Sequence, residues 1–173
     1  TLVVLGENGK PLRPAMMWND TRTKDIMPEL KEIIRQFPEG DYLSRTVSTG
    51  SPAANLYWLK KNEPENLKKM RKFLIGPDYL VHCLTGSQVT DYCEASTSCL
   101  YRISERKWSE EIRELIGLSS EVYPEIRGSA QTAGKVLPEI AEKLGISPDV
   151  EVIVGTGDNP ATAISTGCLG RGY

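Results

Sequence analysis

Residues 150–161 read VEVIVGTGDNPA and carry the strongest indication of how this chain folds. Its first part, Val150–Val154, is a short apolar run that predicts a buried strand. Its last residue opens a predicted helix over Ala161–Gly167. The loop Gly155–Pro160 between them is therefore expected at the carboxyl end of the strand, which is the edge where open α/β sheets bind their ligands.

One carboxylate, that of Asp158, lies in this loop. Asn159 and Pro160 after it predict a helix cap and a first helical residue, so Asp158 is expected just before the helix. The neighbouring glycines would let a small polar substrate approach it, but an equally simple interpretation is that Asp158 only helps to cap the helix. A phosphate-binding loop is the weaker interpretation, because the third glycine of the dinucleotide fingerprint and the Gly-Lys-Ser/Thr of a P-loop are both missing.

A second polar junction reads WNDTRT at residues 18–23. Trp18, Asn19, Asp20 and Arg22 bring together an aromatic face, an amide, a carboxylate and a guanidinium, a combination that suits a polyhydroxylated ligand. The alternative is again a helix cap, formed by Asp20 or by Thr21, with Trp18 in the core. On the pattern alone, the cap is the favoured interpretation.

The remaining elements predict an α/β domain with a small sheet. Thr1–Leu5 and Pro14–Trp18 predict two strands joined by a turn, and Ser87–Thr90 predicts a weaker strand. Apolar spacing and capping signals predict helices over Thr23–Phe37, from Pro52 to the residue before Pro64, and over Glu65–Lys72, Pro77–Leu84, Trp108–Ile116 and Leu137–Leu144. We therefore expect two or three strands against about six helices.

Two further polar features are interpreted as structural. The segment Asp91–Ser96, in which polar residues alternate with small ones, predicts a loop or an edge strand. His82, the single histidine of the chain, predicts a partly buried side chain with satisfied hydrogen bonds rather than a base. A Ser-His-Asp triad or a Cys-His pair would have to use this histidine, so neither is expected.

Composition and charge exclude several function classes. The 173 residues carry a formal net charge of −2, which gives no electrostatic footprint for nucleic acid or for an anionic membrane. No apolar run approaches the ~18 residues that a membrane span needs, and no signal peptide is evident. The four cysteines form no CxxC pair and predict reduced thiols, so we expect no metal site and a cytoplasmic protein.

Six motifs, taken in chain order, resemble the FGGY carbohydrate kinases and in particular the xylulokinases. They are residues 14–22 (PAMMWNDTR), residues 50–62 (GSPAANLYWLKKN), Asp78-Tyr79-Leu80 with Leu84-Thr85-Gly86, Thr90-Asp91 with Ala95-Ser96, Trp108, and residues 155–161 (GTGDNPA). The second motif resembles the family's first signature, which has lysine where this chain has Asn55. The resemblance covers essentially the whole chain but only part of the length of a family member.

The resemblance implies roles for the residues singled out above. Asp158 would be the general base that takes the proton from the sugar hydroxyl, and Asn159 would contact the sugar beside it. The group Trp18, Asn19, Asp20 and Arg22 would lie on or near the sugar side of the site. The Gly-Asp-Asn form of the loop is similar to that of xylulokinases, which implies a ketopentose such as D-xylulose.

For the fold, the resemblance implies a partial ribonuclease-H-like, actin-like domain with helical insertions. Residues 1–173 would be a fragment of the N-terminal, sugar-side domain of a two-domain kinase, with the ATP-binding domain absent. ATP and Mg²⁺ would act in the parent enzyme, and neither would bind to this fragment alone, because the chain lacks the family's phosphate loops. The strand-like start at Thr1 and the LGRGY end at residues 169–173 are interpreted as cuts through a larger protein.

The reaction implied is ATP-dependent phosphorylation of a sugar hydroxyl, with this chain supplying the catalytic aspartate. The expected partners are a small-molecule sugar and the rest of the parent kinase, and a homodimer is compatible with the chain. Two other classes remain as alternatives: a catalytically inactive sugar-binding or regulatory relative of the same family, and a purely structural interaction domain. A carboxylate flanked by glycines at a strand end argues against both.

Overall fold

The computed structural model describes residues 1–168 as an α/β arrangement, and the LGRGY end at residues 169–173 lies outside the described residues. Its strands are β1 (Leu2–Leu5), β2 (Lys72–Ile75), β3 (Val89–Asp91), β4 (Tyr101–Arg102), β5 (Lys107–Trp108), β6 (Glu125–Arg127), β7 (Thr132–Lys135) and β8 (Glu151–Ile153). Its helices are α1 (Met27–Arg35), α2 (Gly40–Thr46), α3 (Pro52–Asn62), α4 (Pro64–Lys69), α5 (Gly76–Thr85), α6 (Tyr92–Thr97), α7 (Glu110–Ile116), α8 (Pro138–Leu144) and α9 (Asp158–Ser165).

The strands β1 and β2 form an antiparallel pair at the centre, with Leu2 opposite Ile75. Every residue of β1 is apolar and buried, so the pair packs on both faces. One face contributes Leu2 and Val4 to the main core, and the other contributes Val3 and Leu5 to a smaller cluster beside α5. The pair therefore forms a rigid base from which the loops at its ends project.

The main core lies between this pair of strands and the helices α1, α2, α3 and α7. Large side chains from all of them are completely buried, among them Leu30, Ile34, Leu43, Leu56, Leu59, Phe73 and Ile112. Burying one such side chain stabilises a fold by about 1.5–3 kcal/mol, so packing rather than helix propensity holds these short helices in place.

The strand predicted at Pro14–Trp18 is not formed. Met16 alone makes a ladder contact with β1, through two backbone hydrogen bonds of 2.8 and 2.9 Å with Leu2. Proline has no N–H to donate, so Pro14 interrupts the pairing. The segment still runs antiparallel along β1 and leaves Trp18 just beyond the end of that strand.

Several predicted helices are confirmed in position but not in extent. The helix predicted over Thr23–Phe37 begins as a 3₁₀ turn and becomes α1 only at Met27. The helix predicted over Glu65–Lys72 ends at Lys69, because the apolar run after it forms β2. Helix α7 starts after Trp108, at a cap in which Ser109 accepts a hydrogen bond from the Ile112 N–H. The helix α2 was not predicted.

The prediction of a loop or edge strand at Asp91–Ser96 is wrong. Asp91 ends β3, which pairs in parallel with β6, and then caps α6 by accepting a hydrogen bond of 2.8 Å from the Glu94 N–H. A small residue such as Ala95 is compatible with a loop, but here it is fully buried on the inner face of α6, where its size allows close packing.

The strand predicted at Val150–Val154 also differs from its prediction. β8 covers Glu151–Ile153 and pairs with β7 alone in the described part of the chain, so Ile153 is 56% exposed instead of buried. Val154, directly after the strand, is buried in a small cluster with Val81, Val89 and Ala133, and the partly buried Val152 packs against that cluster. The helix after it starts at Asp158 rather than at Ala161, with Gly157 as its cap. Among the described residues, no helix is long and apolar enough to cross a membrane.

Candidate active site

An open cleft of about 560 Å³ lies where the ends of β1, β2, β3 and β8 approach one another. It is lined by Thr1, Trp18, Ile75, Gly76, Pro77, Glu94 and Asp158. These residues come from the start of β1, the segment beyond Met16, the junction where β2 passes directly into α5, the first turn of α6 and the first turn of α9. Two of the sequence-predicted site residues, Trp18 and Asp158, are therefore brought to the same cleft.

Asp158 is the first residue of α9, and its side chain is exposed to the cleft. Its Oδ1 accepts a hydrogen bond of 2.8 Å from the Asn159 N–H. Within residues 1–168 no hydrogen bond is made to Oδ2, which remains available to a ligand. The cap residue of α9 is Gly157 and not Asn159 as predicted, so the helix cap does not account for the carboxylate.

The two glycines before Asp158 serve different purposes. Gly155 has a φ of +80°, a left-handed conformation that glycine adopts without strain. Gly157 has an ordinary φ of −65°, so its backbone does not need glycine. A Cβ placed there would lie 2.7 Å from Oε1 of Glu94 and 3.4 Å from Sγ of Cys93. A side chain at residue 157 would therefore displace the Glu94 carboxylate, so the glycine leaves room for that carboxylate in its present position.

Trp18 faces solvent with 73% of its surface exposed, so the alternative that puts it in the core is wrong. Its backbone is held firmly, because a Cβ on Gly50 would lie 1.8 Å from the Trp18 carbonyl oxygen. Beside this contact, the Thr23 hydroxyl donates a hydrogen bond of 2.8 Å to the Thr49 carbonyl. The indole thus projects from a fixed backbone into the cleft.

Asp20 and Arg22 form a pair of their own outside the residues that line the cleft. The Arg22 Nη2 lies 2.7 Å from the Asp20 Oδ2, and the Arg22 guanidinium carbon lies 5.3 Å from the centre of the Trp58 ring. The hydrogen bonds from Arg22 hold the pKa of Asp20 below its ordinary value. Asn19 and Asn159 are exposed and, like this pair, are not among the residues that line the cleft.

Glu94 is the site residue that sequence reasoning missed. It lines the cleft together with Asp158, and burial raises the pKa of its carboxyl, with the nearby Asp91 carboxylate adding to the effect. The signal that could have found it is the Asp-x-x-Glu spacing of Asp91 and Glu94, which is typical of the first turn of a helix. A strand that ends in a helix cap would then have placed Glu94 at the strand edge.

Asp78 supports the cleft from behind. It is 2% exposed, and its Oδ2 accepts a hydrogen bond of 3.2 Å from the Ile75 N–H, which caps the start of α5 where β2 ends. Burial raises the pKa of Asp78 to about 7. His82 lies outside the cleft, with Nε2 3.0 Å from the Gly9 carbonyl and Nδ1 3.1 Å from the Gly86 carbonyl, which is the structural role predicted for it.

No group of three or more His, Cys, Asp or Glu side chains in residues 1–168 is arranged to hold a metal ion. The four cysteines, Cys83, Cys93, Cys99 and Cys168, are all free thiols. The lining of the cleft contains two carboxylates and, among the described residues, no lysine or arginine. Such a surface suits a neutral ligand rich in hydroxyl groups better than it suits a phosphate.

Comparison with known proteins gives one consistent family. Residues 1–165 match the model of the N-terminal domain of the FGGY family of carbohydrate kinases. The xylulose kinase of Staphylococcus xylosus is 31% identical over 166 residues, which cover 96% of this chain and 34% of that protein. The xylulose kinase of Bacillus subtilis is 34% identical over 175 residues, which cover 99% of this chain and 34% of that protein.

The crystal structure of a ligand-bound xylulose kinase from Lactobacillus acidophilus superimposes with a TM-score of 0.86 at 25% identity, over 96% of this chain and 34% of that one. The chain thus spans about a third of the length of the relatives that it matches. The solved sugar kinases that it resembles have the actin-like, ribonuclease-H-like fold, and the described residues form part of that fold. The chain belongs to the FGGY family of carbohydrate kinases.

Proposed function

We propose that the complete protein transfers the terminal phosphoryl group of ATP to a sugar hydroxyl, with Asp158 as the general base. The observation that carries this proposal is the position of Asp158, at the start of α9 and exposed in a cleft that it shares with the outward-facing indole of Trp18. An aromatic face beside a carboxylate is a combination that binds a sugar through its C–H surface and its hydroxyl groups.

Asp158 acts on the hydroxyl during the transfer and not before it. A carboxylate is too weak a base to ionise an alcohol beforehand, so it accepts the proton as the new O–P bond forms and the hydroxyl becomes acidic. Its place at the start of α9 orients the carboxylate, and phosphoryl transfer depends mainly on such positioning. The Asn159 N–H holds Oδ1, which directs Oδ2 to the substrate.

The proposed sugar is a ketopentose, with D-xylulose as the first choice. Support comes from the relatives named above, which are xylulose kinases, and from the Gly-Asp-Asn sequence of the loop at residues 157–159. We propose that Trp18 contacts this sugar directly. Asn159, Asn19, Asp20 and Arg22 are proposed as outer contacts that a bound sugar or a closed cleft would bring into reach.

ATP and its Mg²⁺ ion are proposed as substrates that the rest of the parent kinase binds. The cleft lining has no basic side chain in the described part of the chain, so a triphosphate would need groups from elsewhere. We propose accordingly that residues 1–173 are a fragment of the N-terminal, sugar-side domain, and that the rest of the kinase is its partner. A homodimer of the complete enzyme stays a prediction.

The test is Asp158→Asn in the complete protein. The amide keeps the size of the side chain and a hydrogen-bond acceptor for the sugar, but it cannot take the proton. We expect kcat to fall by about 10²–10⁴ while the Kd for the sugar, measured by calorimetry, changes little. The matched control is Asp41→Asn, which changes an exposed aspartate in the first turn of α2 and should leave kcat unchanged.

Two results would decide against the proposal. If Asp158→Asn retained nearly full kcat, another group would be the base, and Asp158 would have only a local structural role at the start of α9. If the complete unmodified protein bound the sugar but transferred no phosphate, it would be the inactive sugar-binding relative.

A further inference from the structure

The carboxylate of Glu94 lies in the cleft and, among the described residues, has no hydrogen-bond donor. A glutamate at the third position of a helix commonly reaches back to the N–H of the cap residue. Glu94 does not, and within residues 1–168 its carboxylate accepts no hydrogen bond, although the amino group of Thr1 lies near enough to lower its pKa against the larger effect of burial. A partly buried carboxylate without a hydrogen-bond donor costs free energy. A donor on a bound ligand would remove that cost.

The backbone of Glu94 is tied to the loop that carries Asp158. Asp91 Oδ1 accepts the Glu94 N–H at 2.8 Å, and its Oδ2 accepts the Ser129 hydroxyl at 2.8 Å. The Ser129 carbonyl in turn accepts the Gly155 N–H at 2.9 Å. This chain of hydrogen bonds fixes the first turn of α6 relative to the loop before α9, and so fixes Glu94 relative to Asp158.

The contact with Gly157 sets where the carboxylate can lie. Since a Cβ on Gly157 would come within 2.7 Å of Oε1, the carboxylate occupies the space next to the backbone that immediately precedes Asp158. The carboxylates of Glu94 and Asp158 therefore both line this cleft. The glycine at residue 157, whose φ of −65° any residue could adopt, keeps that space open.

We propose that Glu94 is a substrate-binding residue, whose carboxylate accepts a hydrogen bond from a second sugar hydroxyl while Asp158 holds the reacting one. The proposal rests on the proposed sugar kinase function and adds a residue that determines which hydroxyl reaches Asp158. A ligand with at least two hydroxyl groups could satisfy both carboxylates at once. A substrate with one hydroxyl would leave Glu94 without a donor.

The test measures steady-state kinetics of Glu94→Ala in the complete protein with the sugar and with a series of its deoxy analogues, each lacking one hydroxyl. A hydrogen bond to a charged group corresponds to about 10–100-fold in affinity, so KM for the full sugar should rise by that factor with kcat nearly unchanged. One deoxy analogue should show the same loss with the unmodified enzyme and no additional loss with Glu94→Ala.

The matched control is Glu139→Ala, which removes an exposed glutamate from the first turn of α8, away from the cleft. It should leave KM for every sugar unchanged. If Glu94→Ala does not fold, as judged by its melting curve, Glu94→Met replaces it in the same substrate series, because it keeps most of the volume of the side chain and has no oxygen to accept a hydrogen bond.

The inference is overturned if KM for the full sugar is unchanged in the Glu94 variant, or if every deoxy analogue loses equally in variant and unmodified enzyme. Either result can be told apart from a failure of the proposed function. The role of Asp158 is judged on kcat, so a loss of kcat in Asp158→Asn beside an unchanged KM in Glu94→Ala would refute only the role of Glu94.

Discussion

At the scale of single residues, Asp78 has the most strongly raised carboxyl pKa among the described residues. It is buried in the first turn of α5, and burial raises its pKa to about 7, with the nearby Glu94 and Asp91 carboxylates adding to the effect. In the unfolded chain the same group titrates near 3.8. The folded state therefore binds a proton that the unfolded state has already lost at any pH between these two values.

We predict that this difference makes the fold less stable as the pH rises from about 4 to 7. The contribution of the protonated group is complete below the unfolded pKa, is lost progressively across that window and changes no further above it. At about 1.4 kcal/mol for each unit of pKa, ionising Asp78 costs the folded state up to about 4 kcal/mol. Asp78→Asn should remove this loss, because the amide is never charged and its oxygen can still accept the Ile75 N–H.

The measurement is the melting temperature of both proteins between pH 4 and 8. The advantage of the variant should grow across the window and level off above pH 7. Parallel curves for the two proteins would show that Asp78 ionises freely in the folded state, and the prediction would be wrong.

At the scale of elements, the site depends on how α3 meets the segment that carries Trp18. The approach is closest at Gly50, whose α-carbon faces the Trp18 carbonyl and whose φ is not in the left-handed region. Asn55, fully buried one turn into α3, donates a hydrogen bond of 3.3 Å to the Gly50 carbonyl. Gly50, the first residue of the signature-like segment at residues 50–62, therefore serves to let two backbone segments come into contact.

We predict that Gly50→Ala destabilises the fold by about 1–3 kcal/mol, the usual cost of forcing extra volume into a packed site. The added Cβ would meet the Trp18 carbonyl oxygen at 1.8 Å, a distance that only a shift of the backbone can relieve. Urea unfolding of the complete protein would measure the change. Gly128→Ala is the control, because a Cβ there would make ordinary contacts at 3.5 Å and should change stability little. Equal effects of the two substitutions would refute the argument.

Some of the helices and strands could be predicted from the sequence, and others could not. Helices α3, α5 and α8 were predictable because proline near the start, apolar spacing and a following glycine or proline coincide in each. The short strands β4 to β7 were not, because strands of two to four residues carry too few positions to show a period. Their pairing is set by contacts between distant parts of the chain, such as β3 with β6.

The candidate site was predictable only in part, because some of its residues follow a local pattern and others are placed by contacts between distant parts of the chain. Asp158 follows a strand and glycines and could be found from the local pattern. Glu94 could not be placed beside it, because its position depends on the Cβ-free surface of Gly157, which is distant in sequence. Asp20 and Arg22 looked like site residues by composition but satisfy each other.

At the scale of the whole molecule, large apolar side chains are exposed along the segment from α8 to α9. Ile153, Ile164 and Leu144 are each more than half exposed, and Ile146 and Val150 nearby are about 41% exposed. In the described residues β8 has a strand on one side only. An apolar surface beside an open strand edge promotes association of proteins.

We predict that residues 1–173 in isolation self-associate or melt at low temperature, and that they bind no ATP. The reasons are the exposed apolar residues named above, the small area buried by a chain with such a surface, and the cleft lining without basic side chains. Light scattering, thermal melting and calorimetry with ATP would measure the three properties. A monomer with a sharp melt at high temperature, or with micromolar affinity for ATP, would contradict the prediction.

The exposure of Trp18 has an optical consequence. The other two tryptophans, Trp58 and Trp108, are half-buried, and the Trp108 Nε1–H donates to the Pro124 carbonyl. Trp18 alone stands in water at the mouth of the cleft, so its fluorescence lies at the red end of the emission of this protein and is open to soluble quenchers. Any molecule that fills the cleft displaces water from that ring. The chain therefore carries its own reporter of occupancy, and the arrival of a colourless sugar can be followed by light without a label.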